Sequence, residues 1–225
     1  LTNLWINDCQ ISNVSALQNL TNLTSLNIGF NPITNITPLQ NLTSLSILNM
    51  RACQLTNLTP LQNLVSISTL YADSNRITNA SALQNLVALN FLDISDNLLS
   101  NIPSLMNCTL LGTVDLSDNQ ISSLTPLQGH PSIRSLNLRN NLVSDISPLQ
   151  NITSLRQIVL DGNSVTNLAP LGTINQLQIL QLRNNNLTDI TFLITSNPNL
   201  NSLYILQGNT IPANQISAFQ GTHPS

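Results

Sequence analysis

The sequence contains neither lysine nor glutamate, and nine aspartates and six arginines carry all the side-chain charge among 225 residues. Charged residues make up 7% of the chain, far below the roughly 25% of an ordinary globular protein. The net charge of −3 argues against nucleic acid as a partner. Apolar runs stay well short of the roughly 18 residues that a membrane span requires, so we expect none.

Groups suited to catalysis are scarce as well. The only histidines are His130 and His223, and with no lysine or glutamate there are few candidates for a general base. No orienting acid or pocket motif accompanies either histidine. We therefore expect a protein that is not an enzyme and that carries no cofactor.

What the sequence does contain is a repeat. An asparagine or a cysteine recurs every 22 residues at nine positions: Cys9, Asn31, Cys53, Asn75, Asn97, Asn119, Asn141, Asn163 and Asn185. A tenth unit follows around LYILQGNTI, with Asn209 displaced by two residues. The template is L-x-x-L-x-L-x-x-N-x-I-x-x-I-x-P-L-x-x-L-x-x. A fixed period of this length is typical of a solenoid, in which each unit buries its apolar side against its neighbours.

Each part of the template predicts a local structure. The L-x-L alternation predicts a short strand with one face inward. The asparagine lies where the chain bends away from the strand, and its amide can satisfy backbone groups of that bend. Proline follows at positions 38, 60, 126, 148 and 170, where its fixed φ suits the first turn of a short helix. The segment is too short for an α-helix, so we expect 3₁₀ turns.

The stretch LTSLNIGFNPITNITPLQN resembles the 22-residue leucine-rich repeats of the internalins, which are bacterial surface proteins. The Pro-Leu pair after the second isoleucine is the more specific part of this resemblance, which covers nearly the whole chain. It implies a leucine-rich-repeat solenoid, an α/β-type right-handed superhelix with a parallel sheet on the concave face and 3₁₀ turns and loops on the convex face. It also implies a partner held on the concave face and an extracellular or cell-surface location.

The repeats define the expected domain organisation. We expect a solenoid of about ten repeats over residues 1–211, and a short C-terminal cap or the start of a linker over 212–225, where the pattern breaks. The chain opens at Leu1 inside a predicted strand, with no helical cap before it. We therefore expect a monomeric module of a longer chain.

The charged and aromatic side chains mark a candidate binding face. Of the fifteen charged residues, only Asp145 and Asp189 fall outside the strand-side positions, and the exposed aromatics lie at those positions too. Aromatic and arginine side chains are frequent anchors of protein interfaces. The predicted partner-binding residues are Trp5, Phe30, Arg51, Tyr71, Asp73, Phe91, Asp93, Asp96, Asp115, Asp118, Arg134, Arg139, Arg156 and Arg183, with an acidic half before a basic one.

Two other interpretations of these charges stay open. In the first, the aspartates are ordinary consensus residues of the repeat. The groups Arg51–Asp73 and Arg139–Asp161–Arg183 then form surface ion pairs between successive repeats, an ion ladder that adds little stability. In the second, four aspartates on neighbouring strands hold calcium, although no calcium-loop signature accompanies them: Asp93, Asp96, Asp115 and Asp118.

The cysteines are expected to be free core residues. Cys9 and Cys53 lie two repeats apart, about 10 Å, which exceeds the roughly 7 Å between Cα atoms that a disulfide spans. Cys108 and His130 are neighbours in an otherwise apolar column. They form either a reactive thiol–imidazole pair or a buried structural pair.

These observations favour a non-enzymatic protein-binding module, the ligand-binding repeat domain of a secreted or cell-surface adhesin that grips a protein or glycan on its concave face. A second hypothesis is an ice- or crystal-surface binder that uses ladders of serine and threonine, such as Thr34, Thr56 and Thr78. A third is a structural spacer of a surface fibre.

Overall fold

Ten short parallel strands form one open sheet in the described part of the chain, residues 1–196 and 199–222 of the computed structural model. Neighbours in the sheet are also neighbours in the sequence. The strands are β1 Asn3–Trp5, β2 Ser25–Asn27, β3 Ile47–Asn49, β4 Thr69–Tyr71, β5 Phe91–Asp93, β6 Thr113–Asp115, β7 Ser135–Asn137, β8 Gln157–Val159, β9 Ile179–Gln181 and β10 Ser202–Tyr204.

Strand register follows the sequence period. Leu26 pairs with Leu48 and Leu48 with Leu70, so equivalent residues of successive repeats stack in columns. In the second repeat the inward side chains are at most 2% exposed: Leu23, Leu26, Ile28, Ile33, Ile36, Leu39 and Leu42. Stacked from repeat to repeat, these positions form one continuous apolar core. This confirms the predicted leucine-rich-repeat solenoid.

The asparagine column satisfies backbone groups of two adjacent repeats. The buried Asn97 amide donates to the carbonyl oxygens of Ala72, 3.1 Å away in the preceding repeat, and of Ile94, 3.2 Å away in its own. Its Oδ1 accepts the N–H of Ile77 at 2.8 Å. Buried backbone groups left without partners are costly, so this ladder is the polar framework of an otherwise apolar core.

In the described part of the chain, seven 3₁₀ turns follow the bends, as predicted: Ser15–Leu17, Thr37–Leu39, Thr59–Leu61, Ser81–Asn85, Thr125–Leu127, Ser147–Leu149 and Ala169–Thr173. Five of them carry proline in the first turn. Residues 94–112, all described, have no such turn. There proline occupies position 103, one residue earlier in the template than in the other repeats. Since a residue before proline is disfavoured in the helical region, Ile102 cannot readily start the turn.

The last repeat is irregular. The α-helix α1, Thr191–Ser196, replaces the 3₁₀ turn, and β10 pairs with β9 one residue out of the regular register. Asn209 nevertheless keeps the ladder role, since it donates to Leu182 O at 2.7 Å and accepts from Leu187 N at 3.1 Å. The helix α2, Ala213–Thr222, follows, and Phe219 packs against the core. Neither α1 nor α2 has the length and apolar character of a membrane-crossing helix.

Candidate functional site: the outward face of the sheet

In strands β2 to β7 and β9 the first and third side chains are exposed or partly exposed, and the middle one is buried. We call this outward surface, with the three residues that follow each strand, the strand face. Trp5, Tyr71, Asp93 and Asp115 are third-position residues, whereas Phe91 is a first-position residue. The strand face therefore contains most of the predicted binding residues, but they differ in their local surroundings.

The third-position asparagines and aspartates have a local structural role that the sequence reasoning missed. Asp93 Oδ1 accepts hydrogen bonds from the backbone N–H of Ser95 at 3.1 Å and from its hydroxyl at 2.7 Å. Asp115 binds Ser117 in the same way, at 2.9 and 2.6 Å. Asn27 caps Gly29 N–H at 3.1 Å. The spacing D-x-S or N-x-G after the strand leucine is a signal that could have revealed these turns.

The aspartates do not converge as a metal centre. Asp115 Oδ2 accepts from Asn137 at 2.8 Å, and Asp118 Oδ1 accepts from Asn140 at 2.8 Å. Within residues 1–196 and 199–222, no three His, Cys, Asp or Glu side chains are grouped to hold a metal ion. Burial raises the pKa of Asp93, with smaller contributions from Asp73 and Asp115, while Ser95 opposes the rise. The calcium interpretation therefore finds no support in this geometry.

The aromatic side chains form separate groups. Tyr71 and Phe91 are half-buried neighbours, with ring centroids 5.0 Å apart and planes tilted by 45°. Trp5 is 73% exposed and lies on β1, three strands from Tyr71, or about 14 Å at the usual strand spacing. Phe30 is 52% exposed, and the guanidinium carbon of Arg51 lies 5.6 Å from its ring centroid.

Two arginines form ion pairs between adjacent repeats. Arg51 Nη2 donates to Asp73 Oδ2 at 2.9 Å, and Arg183 Nε lies 3.3 Å from Asp161 Oδ2 without hydrogen-bond geometry. Both carboxylates are buried and both arginines are partly exposed. Asp73 Oδ1 accepts no hydrogen bond from the described residues. The ion-ladder interpretation thus fits these pairs, but not Arg139, which is exposed and outside both of them.

The predicted basic half is split between two edges of the sheet. Arg139 and Arg183 come two residues after β7 and β9, whereas Arg134 and Arg156 immediately precede β7 and β8. Five residues of extended chain separate Arg134 from Arg139, about 16 Å. The structure therefore does not gather the four arginines into one cluster.

A column of left-handed residues follows the strands and was also missed. The backbone has positive φ at Asp8, Phe30, Ala52, Ser74, Asp96, Asp118, Asn140, Gly162, Asn184 and Gly208. Glycine, asparagine and aspartate tolerate this region, which explains most of the column and could have been read from the sequence. Phe30 (φ 57°) and Ala52 (φ 48°) are exceptions, because their side chains gain no local hydrogen bond from it.

The cysteines are free, but one prediction about them was wrong. Cys53 and Cys108 are buried as expected, whereas Cys9 is exposed because the described chain has no repeat before it to cover it. Burial raises the pKa of the Cys53 and Cys108 thiols. Cys108 and His130 do not hydrogen-bond to each other. The Cys108 thiol donates to Leu83 O at 3.4 Å, and His130 Nε2 lies 3.0 Å from Leu105 O.

His130 has a structural environment. Its side chain is 1% exposed, its Nδ1 accepts from Ser132 N–H at 3.4 Å, and burial lowers its pKa. This favours the buried structural pair over a reactive thiol–imidazole pair. His223 lies outside the described residues.

The predicted serine and threonine ladder is solvent-exposed along the bends, from Ser12 through Thr34, Thr56 and Thr78. Thr78 N–H donates to Thr56 O at 3.0 Å, which connects these two members of the ladder directly. Its use as an ice- or crystal-binding array stays a prediction.

The fold and its repeats define a leucine-rich-repeat protein. A family model described as leucine-rich repeats in two copies matches residues 1–41 and 131–173. A comparison with curated protein sequences finds no match. Similar solved structures place the chain more narrowly.

The chain is similar to the internalin InlF of Listeria monocytogenes, with 30% identity and a TM-score of 0.89, over 99% of this chain and 72% of InlF. It is also similar to internalin C2 of Listeria monocytogenes, with 31% identity and a TM-score of 0.60, over 81% of this chain and 71% of that one. The chain belongs to the internalin family of leucine-rich-repeat proteins.

A more distant structure shares the fold alone. The plant peptide hormone receptor RGFR1, solved in complex with RGF2, is 22% identical, with a TM-score of 0.75 over 94% of this chain and 40% of the receptor. The leucine-rich-repeat fold is that of a protein-interaction module, and its members are generally non-enzymatic.

Proposed function

We propose that this chain is the ligand-binding repeat domain of a secreted or cell-surface adhesin, and that it holds a protein partner on the strand face. The location rests on the internalin family. The choice of face rests on the distribution of charge and exposed aromatic side chains described above.

The observation that carries the proposal is Phe30. It is half-exposed, so it adds little to the core, and its left-handed backbone is unfavourable for an aromatic residue. Strained conformations of this kind cost about 1–3 kcal/mol each and cluster at functional sites. Most other repeats place aspartate, asparagine or glycine in this column. A contact with a ligand explains why this repeat carries a large apolar side chain instead.

The neighbouring groups suit the same role. Tyr71 and Phe91 form a half-exposed aromatic pair, and Ile47, which pairs in register with Thr69 between it and Phe91, is 43% exposed. Aromatic anchors surrounded by charge are typical of interface hot spots. Arg139 is exposed at the C-terminal ends of the strands and unpaired among the described residues, which suits long-range attraction of a partner.

Binding of the fluorescently labelled domain to a panel of intact cultured cell types, measured by flow cytometry, tests the proposal. We expect saturable binding, weakened about 5- to 150-fold by Tyr71→Ala or Phe91→Ala, which correspond to hot-spot losses of roughly 1–3 kcal/mol. Phe30→Asn should weaken binding while raising stability by about 1 kcal/mol, because asparagine tolerates the left-handed backbone. Arg139→Gln should slow association, and added salt should reduce that difference.

The matched controls lie away from the strand face. Gln40 and Gln62 are exposed at the ends of 3₁₀ turns, and Gln40→Ala and Gln62→Ala should leave binding unchanged. If these changes weaken binding while the aromatic variants are neutral, the binding face is wrong. If no saturable binding is found on any cell type tested, the adhesin proposal is overturned.

A further inference from the structure

A polar groove opens at the N-terminal ends of β5, β6 and β7. It is lined mainly by Asn90, Thr109, Gly112, Thr113, Ser132 and Arg134. Its polar lining differs from the apolar hollow beside α2, which Leu203, Ile216 and Phe219 help to form. The groove contains hydroxyl, amide and guanidinium groups, and so offers both donors and acceptors to a ligand.

Gly112 opens the floor of this groove. The equivalent position in other repeats carries a side chain: Thr2, Thr24, Ser46, Ser68, Asn90, Arg134, Arg156 and Gln178. A Cβ atom at Gly112 would have Asn90 O, 3.9 Å away, as its nearest neighbour, so the space is unfilled. The glycine is not required by its backbone, which lies outside the left-handed region.

Two arginines continue the same column beyond Gly112. Arg134 N–H donates to Gly112 O and Arg156 N–H donates to Arg134 O, each at 2.8 Å, which places the two residues on adjacent repeats about 4.8 Å apart. Both are exposed, and neither guanidinium group has a hydrogen bond or ion pair to a described residue.

Among the described residues, this edge of the sheet has no acidic side chain that would compensate the two arginines. The adjacent outward column reads Phe91, Thr113, Ser135, Gln157 and Ile179 through β5 to β9. The nearest aspartate along β6, Asp115, is held by Ser117 and Asn137. Two like charges on adjacent repeats repel each other unless a ligand neutralises them.

We infer that this groove and the two arginines bind a carboxylate-rich peptide segment of the partner. Guanidinium groups bind carboxylates in bidentate geometry. The Ser132 hydroxyl donates to Leu111 O at 2.9 Å and the Asn90 amide to Leu110 O at 3.3 Å, so their oxygens can accept hydrogen bonds from a peptide main chain. Phe91 pairs in register with Thr113, so an apolar ring borders the groove. The inference rests on the proposed function in taking the partner to be a protein, and it adds the chemistry of the bound segment.

Fluorescence anisotropy with a labelled glutamate-rich peptide tests the inference. A peptide of the same length with glutamine in place of glutamate is the reference. We expect the glutamate peptide alone to bind, more weakly as salt is raised. Arg134→Gln and Arg156→Gln should each weaken binding about tenfold, as loss of a charge-assisted hydrogen bond predicts.

Two further variants separate a built site from general charge attraction. Arg76→Gln removes the same charge from an exposed arginine beyond the other end of β4, and should have no effect. Gly112→Thr changes no charge and fills the groove floor. It should fold, because Thr24 occupies the equivalent position and its hydroxyl donates to Thr2 O at 3.2 Å. We expect Gly112→Thr to weaken peptide binding at least fivefold.

The outcomes are distinct. The proposed site is wrong if Arg76→Gln and Arg134→Gln lose equal affinity for the peptide, or if Gly112→Thr binds it as tightly as the natural sequence. Binding of oligogalacturonate but not of the glutamate peptide would assign the groove to acidic glycans instead. If Arg134→Gln weakens peptide binding while Tyr71→Ala and Phe91→Ala leave cell binding unchanged, the groove is supported and the proposed function is wrong. If cell binding depends on Tyr71 and Phe91 but the peptide does not bind, the groove alone is wrong.

Discussion

At the scale of single residues, one asparagine per repeat connects two repeats through its amide. Cys53 replaces this asparagine in the third repeat, and its thiol donates only to Ile28 O, at 3.5 Å. Cys53 has no Oδ1 acceptor, so Ile33 N–H donates to Asn31 O in its own repeat at 2.7 Å, and the Cys53 sulfur is only a weak acceptor for the backbone N–H groups of Asn31 and Ile33. Cys53 therefore fills the space but leaves the ladder incomplete.

Cys53→Asn should restore the ladder. We expect it to raise the free energy of unfolding by about 1–2 kcal/mol, because the new amide gains an acceptor role toward Ile33 N–H and donor roles toward carbonyls of the bend. Urea denaturation measures the change. The matched control is Asn97→Cys, which should lower the free energy of unfolding by a similar amount. No change in either variant, or a loss in Cys53→Asn with a gain in Asn97→Cys, would show that the ladder does not stabilise the protein.

At the scale of the repeat element, the position of proline decides whether a 3₁₀ turn forms. Leu39 N–H donates to Ile36 O at 2.9 Å in the second repeat, where proline comes at position 38. In the fifth repeat the inward residues Ile102, Leu105 and Cys108 keep their burial, although the turn is missing. Core register thus does not depend on the turn, because the apolar columns are held by the neighbouring repeats.

Exchanging the order of two residues should restore that turn. In the double variant Pro103→Thr with Ser104→Pro, Ile102 is released from the restriction before proline and proline takes its usual place. We expect Leu105 N–H to donate to Ile102 O and to exchange with solvent more slowly, with a gain in stability of about 0.5–1 kcal/mol. Hydrogen exchange and urea denaturation measure the two effects.

The reverse exchange in the next repeat is the control. Thr125→Pro with Pro126→Ser copies the fifth repeat and should speed the exchange of Leu127 N–H, which in the natural sequence donates to Leu124 O at 2.9 Å. Unchanged exchange at both leucines would show that proline position does not control the turn.

At the scale of the whole molecule, the scarcity of charge simplifies the response to pH. Among the described residues, His130 is the one histidine, and it lies buried in the middle of the stack. Burial lowers its pKa from the ordinary value of 6.5 because the charged imidazole is poorly solvated. Repeats are stabilised by their neighbours, so a charge in the middle of the stack affects both halves.

Acidification should therefore destabilise the protein through His130. Below about pH 6.5 the unfolded chain takes up a proton that the folded chain does not, so the free energy of unfolding falls as the pH falls through this range. Urea midpoints measured from about pH 7.5 to about pH 5 should show this loss. His130→Leu, which copies the leucines of its column, should remove it.

Asp93 supplies a control of opposite sign. Its pKa is raised by burial, so its ionisation costs stability at higher pH and protonation relieves that cost. In Asp93→Asn the free energy of unfolding should still fall on acidification, because His130 is unchanged. If His130→Leu has the same pH dependence as the natural sequence, another group governs the acid response.

The sequence by itself determined the repeat architecture. The 22-residue period placed the strand leucines, the asparagine ladder and most proline-led turns. These features depend on the residue types within one repeat and on the recurrence of those types in the next. The family followed from the same residues. The exposure of Cys9 was missed, because burial at that position depends on a preceding repeat.

The tertiary structure decided which outward side chains are free to act. Asp93 and Asp115 fall on the strand face as predicted, yet their serine partners occupy them. The arginines separate into two edges, and two of the six enter ion pairs across repeats. The groove above Gly112 exists because a side chain is absent between particular neighbours. Such properties depend on contacts between repeats at atomic distances. The 22-residue period shows which residues are neighbours, but it does not give the distances between their atoms.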